Sequence, residues 1–250
     1  MARVLRALAV LLALLLAAPA AAPAVEPVDL LLVLAADVSR SIDQAKFQLQ
    51  REGYAAAISD PRVLEAITGG RNRRIGLAFV EWSGVYSQRI VIDWSIIDGA
   101  DSARKFGDQL LELPRSFAER TSISAGIDFS MDLLRRAPFT AARRTIDVSG
   151  DGTNNSGRDV TLARDEAIAT GVTINGLVIL SDRPMAWNPE HTNPPGGLAE
   201  YYRSHVVGGP GAFVIVADDF NSFGQAIVKK LIAEIAYAPR PRTISVRSGG

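Results

Sequence analysis

Three polar residues at alternate positions follow an apolar run near the start of the chain. Asp37, Ser39 and Ser41 form a D-x-S-x-S pattern at the end of the segment DLLLVLAAD, which spans residues 29–37. In an extended or looped backbone, side chains two positions apart point to the same side, so these three can converge on one point. One carboxylate and two hydroxyls make half of an all-oxygen site, which suits Mg²⁺ or Mn²⁺ and is poor for zinc or copper.

A local interpretation of the same residues is also open. Ser41 together with Gln44 fits the S-x-x-Q pattern of a capping box, in which the serine hydroxyl serves the start of a helix. Ser and Asp often occupy such positions for this reason alone. The pattern by itself therefore favours neither a metal half-site nor a helix cap.

Two later loops contain oxygen-bearing side chains of the same kind. Thr121 stands at a predicted helix start in the segment RTSISAGI, and Asp151 follows an apolar strand in the segment VSGDG. Each has its own local interpretation, Thr121 as a helix N-cap and Asp151 as a turn residue before glycine. Together they could add a hydroxyl and a second carboxylate to the first loop, provided that the fold brings the three loops to one place.

The order of the predicted elements indicates a fold that does so. Apolar runs predict strands, and runs with helical spacing predict helices between them. The predicted strands are 29–37, 75–82, 89–94, 144–151, 172–180 and 212–217, and the predicted helices are 42–59, 102–112, 122–136, 158–170, 198–204 and 220–235. This alternation predicts an α/β, doubly wound (Rossmann-like) fold with a mostly parallel central sheet, one antiparallel edge strand and helices on both faces.

Ligands in doubly wound folds sit outside the carboxyl ends of the central strands, which is where both predicted loops with aspartate lie. A Pro/Gly-rich segment, 181–211, interrupts the alternation and is long for a compact domain. It contains His191, and His205 follows within it. Two histidines without cysteine or a close acidic pattern are a weak signal for zinc.

The three motifs, in this order, resemble the metal-ion-dependent adhesion site of von Willebrand factor type A domains. The resemblance implies that Asp37, Ser39, Ser41, Thr121 and Asp151 hold a divalent ion, Mg²⁺ or Mn²⁺, and that a protein partner completes the site with a carboxylate. The segments DVSRSID, EWSG, IDVSGDGTNN, TINGL and GGPGAFV look, more narrowly, like an uncharacterised family of secreted bacterial A-domain-like proteins. The resemblance implies a binding module and no catalysis.

Composition excludes several classes of protein. The chain has 250 residues, 27 Lys or Arg, 27 Asp or Glu and no cysteine. The absence of cysteine excludes disulfide scaffolds, thiolate zinc sites, iron–sulfur clusters and cysteine nucleophiles. The balanced charge argues against a nucleic-acid partner, because neutralising phosphates needs a basic excess.

The first 24 residues have the order of a secretory signal peptide. Two arginines precede a Leu/Ala-rich run, and small residues and prolines follow it. The alternative is an uncleaved membrane anchor, because the apolar stretch is close to spanning length. We expect a periplasmic or secreted protein with a signal peptide at 1–24, a von Willebrand factor A-like domain at 27–238, a flexible tail at 239–250 and no membrane span after signal removal. The sequence does not indicate an oligomeric state.

Two rival functions share parts of the pattern. A phosphatase of the haloacid dehalogenase type also begins with an Asp after its first strand, and its later G-D-G-x-x-D motif resembles the segment 150–155. Ser39 and Asn155 stand where that enzyme needs its acid/base and its second metal ligand, so leaving-group protonation would lack a donor. The other rival is a metal-free structural module in which the same residues are helix caps.

Overall fold

A computed structural model describes residues 26–116, 119–180 and 188–236. The predicted signal peptide and the predicted tail, 239–250, lie outside these ranges. The strands are β1 Glu26–Pro27, β2 Leu31–Asp37, β3 Ile75–Trp82, β4 Gln88–Ile97, β5 Phe139–Thr140, β6 Arg144–Gly150, β7 Thr173–Ile179 and β8 Val214–Ala217. β1 pairs with β5, and the other strands form one sheet in the order β4-β3-β2-β6-β7-β8. Within that sheet only β4 is antiparallel to its neighbour, so the predicted sheet is confirmed.

Helices cover both faces of the sheet, as predicted. They are α1 Gln44–Ile58, α2 Pro61–Thr68, α3 Ala100–Glu112, α4 Ile123–Arg135, α5 Val160–Ala169, α6 Pro189–Thr192, α7 Leu198–Tyr201 and α8 Phe223–Ala236, and α7 continues as a π-helix over Tyr202–Val206. Alternate residues of β2 enter opposite cores: Leu32 packs with α1, α3 and α8, whereas Val33 packs with α4 and α5. None of the helices in the described ranges is long and apolar enough to cross a bilayer.

A short helix departs from the sequence-based expectation. The sequence predicts that the helix beginning near residue 42 ends before Asp60 and Pro61, and α1 does end there, at Ile58. The sequence does not predict the helix that follows. Pro61 begins α2, and the Asp60 side chain accepts a hydrogen bond from the backbone N–H of Arg62 at 2.9 Å. A proline fits the first turn of a helix because the N–H that it lacks has no intrahelical partner there.

The strand order places the switch point of the sheet beside β2. In the sheet, β3 lies on one side of β2 and β6 lies on the other side. The carboxyl ends of β2 and β6 therefore flank the crevice where doubly wound folds bind ligands. Asp37 is the last residue of β2, and Asp151 follows directly on β6.

Candidate metal centre

The D-x-S-x-S segment turns sharply after β2. Asp37 Oδ1 accepts a hydrogen bond from the backbone N–H of Ser39 at 2.7 Å. The hydroxyl oxygens of Ser39 and Ser41 lie 3.2 Å apart. Asp37 and Ser39 are fully buried, and Ser41 is partly exposed. The structure thus brings the three side chains to one point, as their alternate spacing predicts.

Asp151 joins this cluster from the neighbouring strand end. The Ser41 hydroxyl donates a 2.5 Å hydrogen bond to Asp151 Oδ1, across 110 positions of the sequence. Lys46, on α1, donates to the backbone carbonyl of Ser41 at 2.9 Å and holds its ammonium 3.6 Å from Asp151 Oδ2. The two carboxylates and the serine hydroxyls therefore form one buried polar cluster.

The local interpretations of Ser41 and Thr121 are wrong. The N-cap of α1 is Asp43, whose carboxylate accepts a 2.9 Å hydrogen bond from a backbone N–H of the first turn. The N-cap of α4 is Ser122, whose hydroxyl accepts from a first-turn N–H in the same way. Because Asp43 and Ser122 cap the two helices, the hydroxyls of Ser41 and Thr121 are not used as helix caps.

Thr121 meets a histidine at the same edge of the sheet. Its Oγ1 lies 3.2 Å from His191 Nε2, and its backbone N–H donates to Asn155 Oδ1 at 3.0 Å. The imidazole lies against Gly152, where an added Cβ would stand 2.3 Å from the ring. Thr121 and His191 line one cleft with Ser41, so the structure places the fifth predicted residue in the same cleft as one of the other four.

His191 is the residue that sequence reasoning missed. In the sequence, His191 is one of two histidines in the same loop segment. In the structure the two have different surroundings, because His191 contacts Thr121 whereas His205 stacks on the ring of Tyr201, with 4.7 Å between centroids. His191 is 3% exposed, and its burial lowers its pKa, so the ring is neutral at pH 7. Gly152 is the one sequence feature that could have indicated this contact, because a glycine permits the close approach of a ring.

The electrostatics of the site fit a divalent cation. Asp37 Oδ2 and Asp151 Oδ2 are buried without a hydrogen-bond partner within the described part of the chain. Burial, and then the charge of Asp151, raise the pKa of Asp37 to about 7, and burial also raises the pKa of Asp151. Two buried acids are costly unless a cation is shared between them.

The donor set limits which cation fits. Among the described residues, no three His, Asp or Glu side chains are grouped to hold an ion. An ion between Asp37 and Asp151 would therefore take its remaining protein ligands from hydroxyls. Such hard oxygen ligands suit Mg²⁺ or Mn²⁺.

Arg115 positions the loop that follows β2. Its guanidinium donates to the carbonyls of Val38 at 3.0 Å, Ser39 at 3.3 Å and Ile42 at 2.5 Å. Its positive charge also lowers the pKa of Asp37, against the larger effect of burial. One side chain thus holds the backbone of the D-x-S-x-S segment in its turn.

We expect the variant Lys46→Met to bind Mg²⁺ and Mn²⁺ more tightly than the wild type. The Lys46 ammonium lies 3.6 Å from Asp151 Oδ2 and competes with a metal ion for that charge. At that separation a unit charge pair is worth about 1–4 kcal/mol near a protein surface, so the affinity should rise about tenfold. Isothermal titration calorimetry measures it, with Lys105→Met on the exposed side of α3 as the control. An unchanged or weaker affinity for Lys46→Met would contradict competition.

Several solved structures have a similar fold, and one of them is described as a von Willebrand factor type A protein. Proximal thread matrix protein 1 from the mussel byssus is 12% identical with a TM-score of 0.57, and the match covers 84% of this chain and 49% of the mussel protein. A von Willebrand factor type A protein from Catenulispora acidiphila is 14% identical with a TM-score of 0.56, covering 84% and 43%. This chain thus spans about half the length of the mussel protein. At these identities the likeness shows the fold alone.

The pilus adhesin SpaC from Lactobacillus rhamnosus GG has a similar fold, with 14% identity and a TM-score of 0.54. The match covers 84% of this chain and 30% of the adhesin chain. No curated protein matches the sequence significantly. One family model does match, over residues 27–239, and its description is "Protein of unknown function (DUF1194)". The chain therefore belongs to the DUF1194 family and has the fold of a von Willebrand factor type A domain.

Proposed function

We propose that this protein is an exported binding module that holds Mg²⁺ or Mn²⁺ and, through the ion, an acidic ligand on a protein partner. The metal ligands are Asp37, Ser39, Ser41, Thr121 and Asp151. The observation that carries the proposal is the pair of buried carboxylates, each with an oxygen that accepts no hydrogen bond within the described residues, beside hydroxyls that cap no helix. One of the similar mussel structures is described as having a zinc-occupied MIDAS motif, the abbreviation for a metal-ion-dependent adhesion site, which supports a divalent ion in a domain of this fold.

The chain's own residues explain why such a site would bind rather than catalyse. A bound divalent ion supplies positive charge that a ligand carboxylate can share. Asp37 and Asp151 are the two acidic members, and hydroxyls add no charge, so an ion here keeps its attraction for an anionic ligand. Ser39 stands where a haloacid dehalogenase-type phosphatase needs its acid/base residue, and Asn155, where that enzyme needs its second metal ligand, accepts the Thr121 backbone N–H. We infer that the site has no general acid for phosphate ester hydrolysis.

Export is part of the proposal and rests on residues 1–24. The order of arginines, apolar run and small residues supports a cleaved signal peptide and a periplasmic or secreted protein. A domain over residues 27–238 and a tail over 239–250 complete the proposed organisation. Mass spectrometry of the protein exported by a bacterial host tests this part, because cleavage after Ala22 or Ala24 leaves a defined N-terminal mass.

Thermal unfolding tests the metal site. We expect saturating Mg²⁺ or Mn²⁺ to raise the Tm by about 5–10 °C over EDTA, since an ion at 100 times its Kd adds about 2.7 kcal/mol. Asp37→Asn and Asp151→Asn should lose this increment, because each removes a charged ligand. Both should unfold in EDTA no lower than the wild type, since each also removes a buried carboxylate charge.

Asp108→Asn on the exposed side of α3 is the matched control and should keep the full increment. A wild-type increment no larger than that of the Asp37 and Asp151 variants would contradict the metal site.

An assay with a generic phosphate ester separates the enzyme alternative. Turnover that Asp37→Ala abolishes would favour the phosphatase over the binding module.

A further inference from the structure

A cleft of about 270 Å³ opens beside the proposed metal centre. Ser41 and Thr121, two of the proposed ligands, belong to its lining, together with Arg40, Arg120 and Glu119. Both arginines are exposed. A ligand that reaches the metal centre through this cleft must therefore pass the two guanidinium groups.

The two guanidiniums have no carboxylate counter-ion among the described residues. Arg40 has no side-chain hydrogen bond or ion pair there, and Arg120 donates only to the backbone carbonyl of Asn155, at 2.9 Å. Glu119 is the acidic residue of the lining, and its carboxylate lies over Gly84, where an added Cβ would stand 2.3 Å from Oε2. The charged residues of the lining are thus two arginines and one glutamate, an excess of positive charge.

The Thr121 hydroxyl and the His191 imidazole also line this cleft, with Thr121 Oγ1 3.2 Å from His191 Nε2. His191 Nδ1 lies 3.3 Å from both Asn155 Nδ2 and Thr153 Oγ1. These groups add hydrogen-bonding capacity to the cleft, whereas its charge comes from the two arginines and Glu119.

We propose that this cleft binds a second carboxylate of the same ligand, so that the site selects protein segments with two neighbouring acidic side chains. One carboxylate meets the ion, and the guanidiniums of Arg40 and Arg120 bind the other. The proposal rests on the proposed function, because it needs an ion to hold the first carboxylate. Charge-assisted hydrogen bonds to a guanidinium are strong and favour carboxylate geometry.

Two blocked peptides test the proposal, one with two adjacent aspartates and one in which asparagine replaces the second aspartate. Their affinities are measured by calorimetry in saturating Mn²⁺ and in EDTA. We expect the wild-type protein to bind the two-aspartate peptide about tenfold more tightly than the other in Mn²⁺, and neither in EDTA. Arg40→Gln/Arg120→Gln should bind both peptides equally, at the level of the single-aspartate peptide.

Two controls make the result specific. Mn²⁺ alone should bind the double variant with wild-type affinity, and Arg104→Gln, an exposed change on α3, should keep the peptide preference. Equal wild-type affinities for the two peptides, or a preference that survives in the double variant, would overturn the second-carboxylate subsite alone. If the Mn²⁺-loaded wild type bound neither peptide, the proposed function itself would fail, and the subsite with it.

Discussion

Lys230→Met should lower the free energy of unfolding by about 3–5 kcal/mol, because it leaves two buried carboxylates without their cation. Lys230 is fully buried on α8; its ammonium lies 2.8 Å from Asp147 Oδ1 on β6 and also bonds to Glu234. Asn175 on β7 donates to Glu234 Oε1 at 2.8 Å. This cluster joins α8 to the centre of the sheet, so its loss should be felt by the whole domain.

Urea unfolding at pH 7 measures the effect. Lys229→Met is the matched control, because Lys229 is the exposed neighbour on the same helix and its loss should change stability by no more than about 0.5 kcal/mol. Lys230→Met combined with Asp147→Asn and Glu234→Gln should recover part of the loss, since it removes the unpaired charges. Equal losses for Lys229→Met and Lys230→Met would show that the buried ammonium has no special role.

The stability of the wild-type protein should fall between pH 4 and pH 7 more steeply than that of Asp147→Asn. Burial, with a smaller contribution from the charge of Glu234, raises the pKa of Asp147 from 3.8 to about 7, although Lys230 opposes the shift. The folded state therefore binds a proton that the unfolded state releases near pH 4. The associated stability is fully present below pH 4 and is lost as the pH rises through about 7.

The difference between the two curves isolates Asp147. Lys230 and Glu234 on α8 and Tyr54 on α1 are the charged or titratable groups that interact with Asp147, and all of them remain in the variant. Asp37 and Asp151 add slopes of the same sign to both proteins. We expect the wild-type slope to exceed that of the variant by at most about 1.4 kcal/mol per pH unit. Urea unfolding in EDTA at intervals from pH 4 to pH 8 measures it, and parallel curves would contradict a raised pKa.

Much of the fold can be predicted from local sequence. The apolar runs that became β2, β6 and β7 are bounded by polar residues, and helical spacing between them indicates parallel strands joined by helices. The neighbouring predicted strands 75–82 and 89–94 are also visible in the sequence, and the structure confirms them as β3 and β4, with β4 as the antiparallel edge strand. The sequence did not predict the extra helix α2, because a proline after a helix is compatible both with the end of that helix and with the start of a new one.

The candidate site was only partly predictable. That Asp37 and Asp151 follow buried strands is local information, and the parallel fold then brings them to one edge of the sheet. The residues that cap the helices cannot be identified from local sequence, because Ser41 and Asp43 are both suitable N-caps for α1. The structure selects Asp43 because Ser41 is engaged by Asp151, 110 positions away.

The sequence by itself determined the order of strands and helices and the kinds of side chain that follow the central strands, because both depend on residues near each other in the chain. Only the tertiary structure decided that His191 contacts Thr121, that Arg115 holds the β2 loop and that Lys230 is buried between acids. These contacts join residues up to 83 positions apart. They depend on how the helices and loops pack against the sheet, and no local spacing encodes that packing.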